Sequence, residues 1–149
     1  MATAAVVAVV DQVTKELALR SLRDGAIDLF GGAVTLRLTY NSGGAFGLLQ
    51  GLPGLFLLAT LVIAGLILVW ARGVEERGSA VALGMILGGG LGNAADRIAR
   101  DLGGRVVDFV DLHFWPVFNV ADSAIVVGVC LVLLLGARRR PSPRPGPGH

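Results

Sequence analysis

The residues from Leu52 to Trp70 form a run that is hydrocarbon throughout apart from Thr60 and two glycines. Water cannot solvate such a stretch, and as an α-helix it has the roughly 20 residues that cross a bilayer core. A second run, Val117 to Gly136, is interrupted only by Asn119, Asp122 and Ser123. Two weaker segments join them: Ala2 to about Arg20, and Ser79 to Gly92 continuing through Asn93–Arg97. The latter reaches spanning length only if Asn93, Asp96 and Arg97 lie inside the membrane or at its lip. The first has no basic stretch ahead of it and only nine apolar residues before Asp11, so it reads as a short membrane helix rather than a cleaved leader.

With 54% apolar and 16% charged residues and a mean hydropathy of +0.71, the composition is that of a polytopic membrane protein. The fold expected is therefore all-α, with four transmembrane helices. Residues 1–137 form the membrane-embedded domain. Residues 138–149, rich in proline and glycine, form a disordered cytoplasmic tail. Arg72 and Arg77 fall between the second and third segments, and Arg138, Arg139, Arg140 and Arg144 follow the fourth. Four spans put both places on one side, the cytoplasm, with both termini there, although Arg23, Arg37, Arg97, Arg100 and Arg105 pull the other way.

Between the first two segments the pattern changes. Val34, Leu36, Leu38 and Tyr40 alternate with Thr35, Arg37 and Thr39, the period of a half-buried strand. A small extracytoplasmic β region over Ala33–Tyr40 is predicted, its apolar face lying on the lipid surface or lining a peptide groove.

A net charge of +2, with basic residues placed between apolar runs, excludes a nucleic-acid binder. One cysteine, Cys130, permits no intrachain disulfide, and with only His113 and His149 beside it no metal site is expected.

Polar residues in membrane helices need a reason. Asp11 and Lys15 lie one turn apart on the same face. They are either an ion pair that lets a short helix enter the membrane or a device that positions a loop or substrate. Lys15 is the one lysine among thirteen basic residues, which hints that a compact ammonium is required there. Gly84, Gly88 and Gly92 form a small-residue seam for close helix packing. Asn93 and Arg97 share a face beside Asp96. An internal Asp96–Arg97 network is expected, with Asn93 and Arg97 also free to bind substrate backbone or phospholipid.

Asp108 sits in the apolar run Val106–Val110, and Asp122 sits three residues after Asn119 in a helix that Pro116 can start. Two close acids in a poorly hydrated site share a proton, and such a pair can drive water into a peptide bond. Equally, Asp122 could cap its helix while Asp108 is solvated. Asp111 and His113 read as a surface loop, and Asp24, Asp28 and Asp101 as solvated loop acids. A serine–lysine dyad of Ser42 or Ser123 with Lys15 is a weaker reading: Ser42 lies in a glycine-rich turn, and Ser123 is about 100° around its helix from Asp122. A non-enzymatic four-helix protein, such as a transporter, needs a continuous polar route that the second segment does not offer.

Five segments resemble the lipoprotein signal peptidase family in order: Asp11-Gln12-Val13-Thr14-Lys15, Asn41-Ser42-Gly43-Gly44-Ala45-Phe46, Gly92-Asn93-Ala94-Ala95-Asp96-Arg97, Val107-Asp108-Phe109, and Phe118-Asn119-Val120-Ala121-Asp122-Ser123. Relative to the family pattern, the stretch before Asp11 is short and the linker from Asp108 to Asp122 compact. The resemblance implies an aspartic endopeptidase of the bacterial inner membrane with Asp108 and Asp122 as catalytic dyad. Asn41, Gly43, Asn93, Arg97 and Asn119 would hold dyad and substrate, supported by Asp11 and Lys15. The substrate implied is a prolipoprotein whose cysteine carries a diacylglyceryl group, cut N-terminal to that cysteine near the extracytoplasmic face. Membrane phospholipid is the surrounding partner; no cofactor, metal or nucleic acid is implied, and a monomer is expected.

Overall fold

The computed structural model describes residues 2–43 and 53–138. Helix α1 spans Ala2–Ser21, α2 Pro53–Ala71, α3 Arg77–Ala99 and α4 Val120–Arg138. Three short strands, β1 (Ile27–Leu29), β2 (Val34–Asn41) and β3 (Val106–Asp111), form one antiparallel sheet in the order β1-β2-β3. The tail expected to be disordered lies outside the described residues from position 139 onward.

Helices α2, α3 and α4 are long and apolar enough to cross a membrane. At 1.5 Å per residue, the 19 residues of α2 reach about 28 Å. Helix α1 is as long, but Asp11, Lys15, Glu16 and Arg20 keep it below that composition. Its acid and base at positions 11 and 15 are fully buried, whereas Val6, Val9, Val13 and Leu17 are more than half exposed.

Helix α3 is the hub, packing on α1, α2 and α4, while the backbone of α2 closely approaches that of α3 alone among the described helices. The glycines explain how close this packing is. A Cβ on Gly88 would come within 2.5 Å of the Ala4 carbonyl oxygen, and one on Gly84 within 2.8 Å of Thr3 Cβ. The predicted seam therefore faces α1. A second seam was not read from the sequence: Gly89 of α3 lies against the Ala121 carbonyl, and Gly128 of α4 lies against Ala82 and Ile86.

Four local expectations are corrected. The expected β region is a small three-stranded sheet, and Asp28 lies on β1 rather than in a loop, with Asp111 ending β3. Asp111 is not a loop acid: it is buried and takes a 2.6 Å bond from Arg37 Nε. Helix α4 starts at Val120, not near Pro116, because Phe118 pairs with Val110 of β3 and Asn119 caps the helix. Asp96 and Arg97 do not build the expected network together. Asp96 turns inward to Lys15 and Arg100, and Arg97 turns to the other side.

Candidate active site

Asp108 is carried in the middle of β3 and is 1% exposed. Its two carboxylate oxygens accept from two asparagines: Oδ1 from Asn119 Nδ2 at 2.7 Å and Oδ2 from Asn41 Nδ2 at 3.0 Å. Asn41 ends β2, opposite Val106 in the register, so strand pairing alone brings it to Asp108. Its own Oδ1 accepts the Gly43 N–H at 2.9 Å, which fixes the side chain. The remainder of that motif, from Gly44 to Phe46, lies outside the described residues.

Asp122 stands at the third residue of α4 and closes a reciprocal cap with Asn119. The Asp122 N–H donates to Asn119 Oδ1 at 2.9 Å, and the Asn119 N–H donates to Asp122 Oδ2 at 3.2 Å. This is the logic of a capping box, which satisfies two donors at a helix start. Capping and membership in the acid cluster are thus not alternatives; Asp122 does both. Its Oδ1 accepts from Asn93 Nδ2 at 2.8 Å.

The two acids are joined through side-chain amides. Asn119 Nδ2 also reaches Asn93 Oδ1 at 3.0 Å, so a chain runs from Asp108 through Asn119 and Asn93 to Asp122. Neither carboxylate takes a direct bond from a lysine or arginine among the described residues. Burial, reinforced by the negative charge of Asp122, pushes the Asp108 carboxyl up to about 7.

Beneath this pair lies a buried ionic layer. Lys15 Nζ spends its three donors on Asp11 Oδ2 (2.8 Å), Asp96 Oδ2 (3.0 Å) and Asn93 Oδ1 (2.9 Å). A tetrahedral ammonium suits three converging acceptors and a planar guanidinium does not, which accounts for the single lysine. Asp11 Oδ1 accepts the Ala121 N–H at 2.9 Å, tying α1 to the first turn of α4. Asp96 Oδ2 also accepts the Val107 N–H at 3.0 Å, which anchors β3 one residue before Asp108.

Sequence reasoning undervalued Asp96, Gln12 and Arg100. Gln12 Nε2 donates to Asp96 Oδ1 at 2.9 Å and to the Gly92 carbonyl at 3.0 Å. Arg100 Nε also meets Asp96 Oδ1 at 2.9 Å. The i,i+4 spacing of Asp96 and Arg100 was the available signal.

Asp108, Asp122, Asn41, Gly43, Asn93 and Arg97 all line one cavity of about 320 Å³. Arg97 lies over the Phe56 ring at 5.8 Å, and its buried Nε has no hydrogen-bond partner among the described residues. Asp11, Lys15 and Asn119 do not line the cavity; they act behind it. Ser42 and Ser123 also stand off the cavity lining, and Ser123 Oγ is spent on the Asn119 carbonyl at 3.1 Å. An apolar cleft of about 230 Å³ between α2, α3 and α4 shares Thr60, Gly90 and Ile125 with the site. A larger hollow of about 530 Å³ at the Gly73–Glu76 turn has Glu75 and Glu76 as its titratable lining and is remote from both aspartates. Among the described residues no three His, Cys, Asp or Glu side chains converge as metal ligands would.

Apolar helices of spanning length beside a carboxylate-lined cavity define a membrane protein with a polar site. The sequence pattern of the family described as signal peptidase (SPase) II matches residues 3–137, nearly the whole chain. The chain belongs to that family of membrane proteases. It is 44% identical over 140 residues to the lipoprotein signal peptidase of Mycobacterium leprae (strain Br4923), covering 91% of this chain and 69% of that protein. To the lipoprotein signal peptidase of Chlorobium phaeobacteroides (strain BS1) it is 42% identical over 147 residues, with 88% and 91% covered. A solved bacterial membrane enzyme at 2.3 Å resolution superimposes with a TM-score of 0.83 at 26% identity, covering 95% of this chain and 91% of the other. Membership of a protease family sets the transporter reading aside.

Proposed function

We propose that this chain removes signal peptides from bacterial prolipoproteins whose cysteine carries a diacylglyceryl group, cutting on the N-terminal side of that cysteine with Asp108 and Asp122. The supporting observation is that the buried carboxyl of Asp108 and the half-buried one of Asp122 face one cavity, each held by asparagine amides rather than neutralised by a cation.

In the reaction, Asp122 as carboxylate takes a proton from water while the water oxygen attacks the scissile carbonyl carbon. Asp108, protonated at the start, gives its proton to the carbonyl oxygen. In the second half Asp108 takes a proton back from one hydroxyl of the tetrahedral intermediate, the C–N bond breaks, and Asp122 protonates the departing cysteine amine. No acyl-enzyme forms. A position at the start of α4 favours charge on Asp122, and burial favours the neutral form of Asp108.

Arg97 and Asn93 would hold the substrate backbone, Arg97 through a donor otherwise left unmatched. The apolar cleft joined to the site suits the acyl chains. Helix α1 would be the fourth span: 20 residues reach about 30 Å, and its buried charges face α3 and α4. Both termini would lie in the cytoplasm, the sheet outside, and the enzyme would work as a monomer.

The test is product mass. Purified protein given a diacylglyceryl-modified prolipoprotein should yield a mature chain beginning with the lipidated cysteine, and hydroxylamine should trap no acyl-enzyme. A trapped adduct would contradict direct water attack, and a cut elsewhere would contradict the assigned substrate.

A further inference from the structure

Phe30 and Phe114 are the most exposed large apolar side chains among the described residues, at 85% and 81%. Phe30 is itself distorted in its backbone, and Phe114 follows the other distorted residue, His113. Phe30 (φ 52°) and His113 (φ 66°) are the two non-glycine residues with positive φ in the described structure. Bulky side chains adopt that conformation only when their surroundings impose it.

Polar contacts impose it on both turns. His113 Nε2 lies 3.1 Å from the Gly32 carbonyl oxygen and 3.2 Å from Thr35 Oγ1, which in turn donates to Asp28 Oδ1 at 2.6 Å. The His113 N–H donates to Asp111 Oδ1 at 2.7 Å, and Arg37 Nε donates to Asp111 Oδ2. Arg37 and that amide hold the Asp111 carboxyl below its ordinary range, so the clamp stays charged and closed. One polar knot thus pins the turn at Phe30–Gly32 to the turn after β3. Each turn then presents a phenylalanine outward that no neighbour among the described residues covers.

We propose that Phe30 and Phe114 are a lipid-surface anchor that fastens the free end of the sheet to the membrane interface. The two rings continue the membrane-spanning surface. Phe114 precedes the first residue of α4 by six positions, and Phe118 is bonded to β3 in between, so the tip cannot rise far above the level at which α4 enters the bilayer. The lipid-facing sides of α2 and α4, with Leu58, Leu66, Val126 and Leu133 more than half exposed, carry the apolar surface up to that level. Phenylalanine is among the apolar side chains that bury into the headgroup–acyl boundary beside basic residues, and the half-exposed Arg37 supplies a cation for phosphate. Anchoring would hold β2 and β3, and with them Asn41 and Asp108, at a fixed height over the helices. The occupant is thus a phospholipid surface rather than a protein.

The test uses nitroxide labels in phosphatidylethanolamine–phosphatidylglycerol vesicles. The native Cys130, exposed on α4, gives the in-membrane reference. On a Cys130→Ala background, Phe30→Cys and Phe114→Cys are labelled separately, with the exposed Asp101→Cys as the water reference. The expected result is a ratio of oxygen to nickel-chelate collision rates several-fold above that at position 101 and approaching that at position 130. Brominated phospholipid should also quench Phe30→Trp in a protein lacking Trp70 and Trp115. Labels at 30 and 114 that match position 101 while position 130 reads as lipid would overturn the anchor and leave the membrane assignment standing. Labels that become protected only when prolipoprotein is added would overturn it in favour of a substrate contact.

Discussion

Asn119 Nδ2 donates to Asp108 Oδ1 at 2.7 Å, while the Oδ1 of the same amide accepts the backbone N–H of Asp122. One side chain therefore sets the helix start that carries one acid and holds the other acid in place. Asn119→Ser keeps a capping oxygen but loses the donor to Asp108; Asn119→Ala loses both. A hydrogen bond to a neutral group contributes about 1 kcal/mol net, and a cap about 1 kcal/mol. The serine variant should melt within a few degrees of wild type and cut roughly 10–100-fold more slowly. The alanine variant should lose both rate and thermal stability. Thermal unfolding in detergent beside initial cleavage rates separates the two effects; equal stability losses in both variants would count against the dual role.

Lys15 is fully buried between Asp11 and Asp96. Removing one partner of a buried ionic cluster costs about 3–5 kcal/mol, because the remaining charges stay unpaired. Lys15→Met should be strongly destabilised, and Lys15→Arg should rescue little, since no room exists for a planar fork among three acceptors. Midpoints of thermal unfolding check this, and an arginine variant as stable as wild type would refute the geometric reason for lysine.

A Cβ on Gly92 would come within 2.5 Å of Asp11 Oδ2, whereas one on Gly65 of α2 meets nothing within 4 Å. Gly92→Ala must push the Asp11 carboxylate off Lys15 and off the Ala121 N–H. It should therefore lower both stability and activity, with Gly65→Ala indistinguishable from wild type or slightly more stable. Both can be read in one melting and one rate experiment.

The fold's outline and most of the site were legible in the chain for physical reasons. Long apolar runs, glycines at four-residue spacing and acids where acids are costly leave few options, so α2, α4, the glycine seam of α3 and the group Asp11, Lys15, Asn93, Asp108 and Asp122 could be named, though not that the seam faces α1. What escaped depends on partners distant in sequence. β3 reads as an apolar stretch until β2 pairs with it, and β1 has only three residues. The start of α4 was misplaced because Pro116 is a local signal, whereas Phe118 is taken by Val110 and Asn119 supplies the cap. Asp96 looked like a partner for adjacent Arg97, but neighbours in a helix point about 100° apart, and α1 brings Lys15 and Gln12 to it instead.

The Asp108 carboxyl, pushed up to about 7 from an ordinary 3.8, gives a signed pH dependence. As the starting acid it must be protonated, so cleavage should fall as pH rises above about 7, approaching tenfold per unit. The same shift makes folded protein bind this proton more tightly than unfolded protein does. Its share of stability is then complete below pH about 4 and lost as pH rises to about 7. Asp108→Asn should flatten that part of the stability profile. A rate that climbs steadily through pH 8.5 would show that Asp108 is not the acid.

The most direct measurement is cleavage of a diacylglyceryl-modified prolipoprotein by purified wild type, Asp108→Asn and Asp122→Asn, each first shown to be folded. The dyad predicts that wild type cuts before the modified cysteine while each variant loses about 10²–10⁴-fold in rate, the usual contribution of a positioned acid or base. A folded variant at either position that cuts at the wild-type rate would contradict the assignment and leave that aspartate a structural residue.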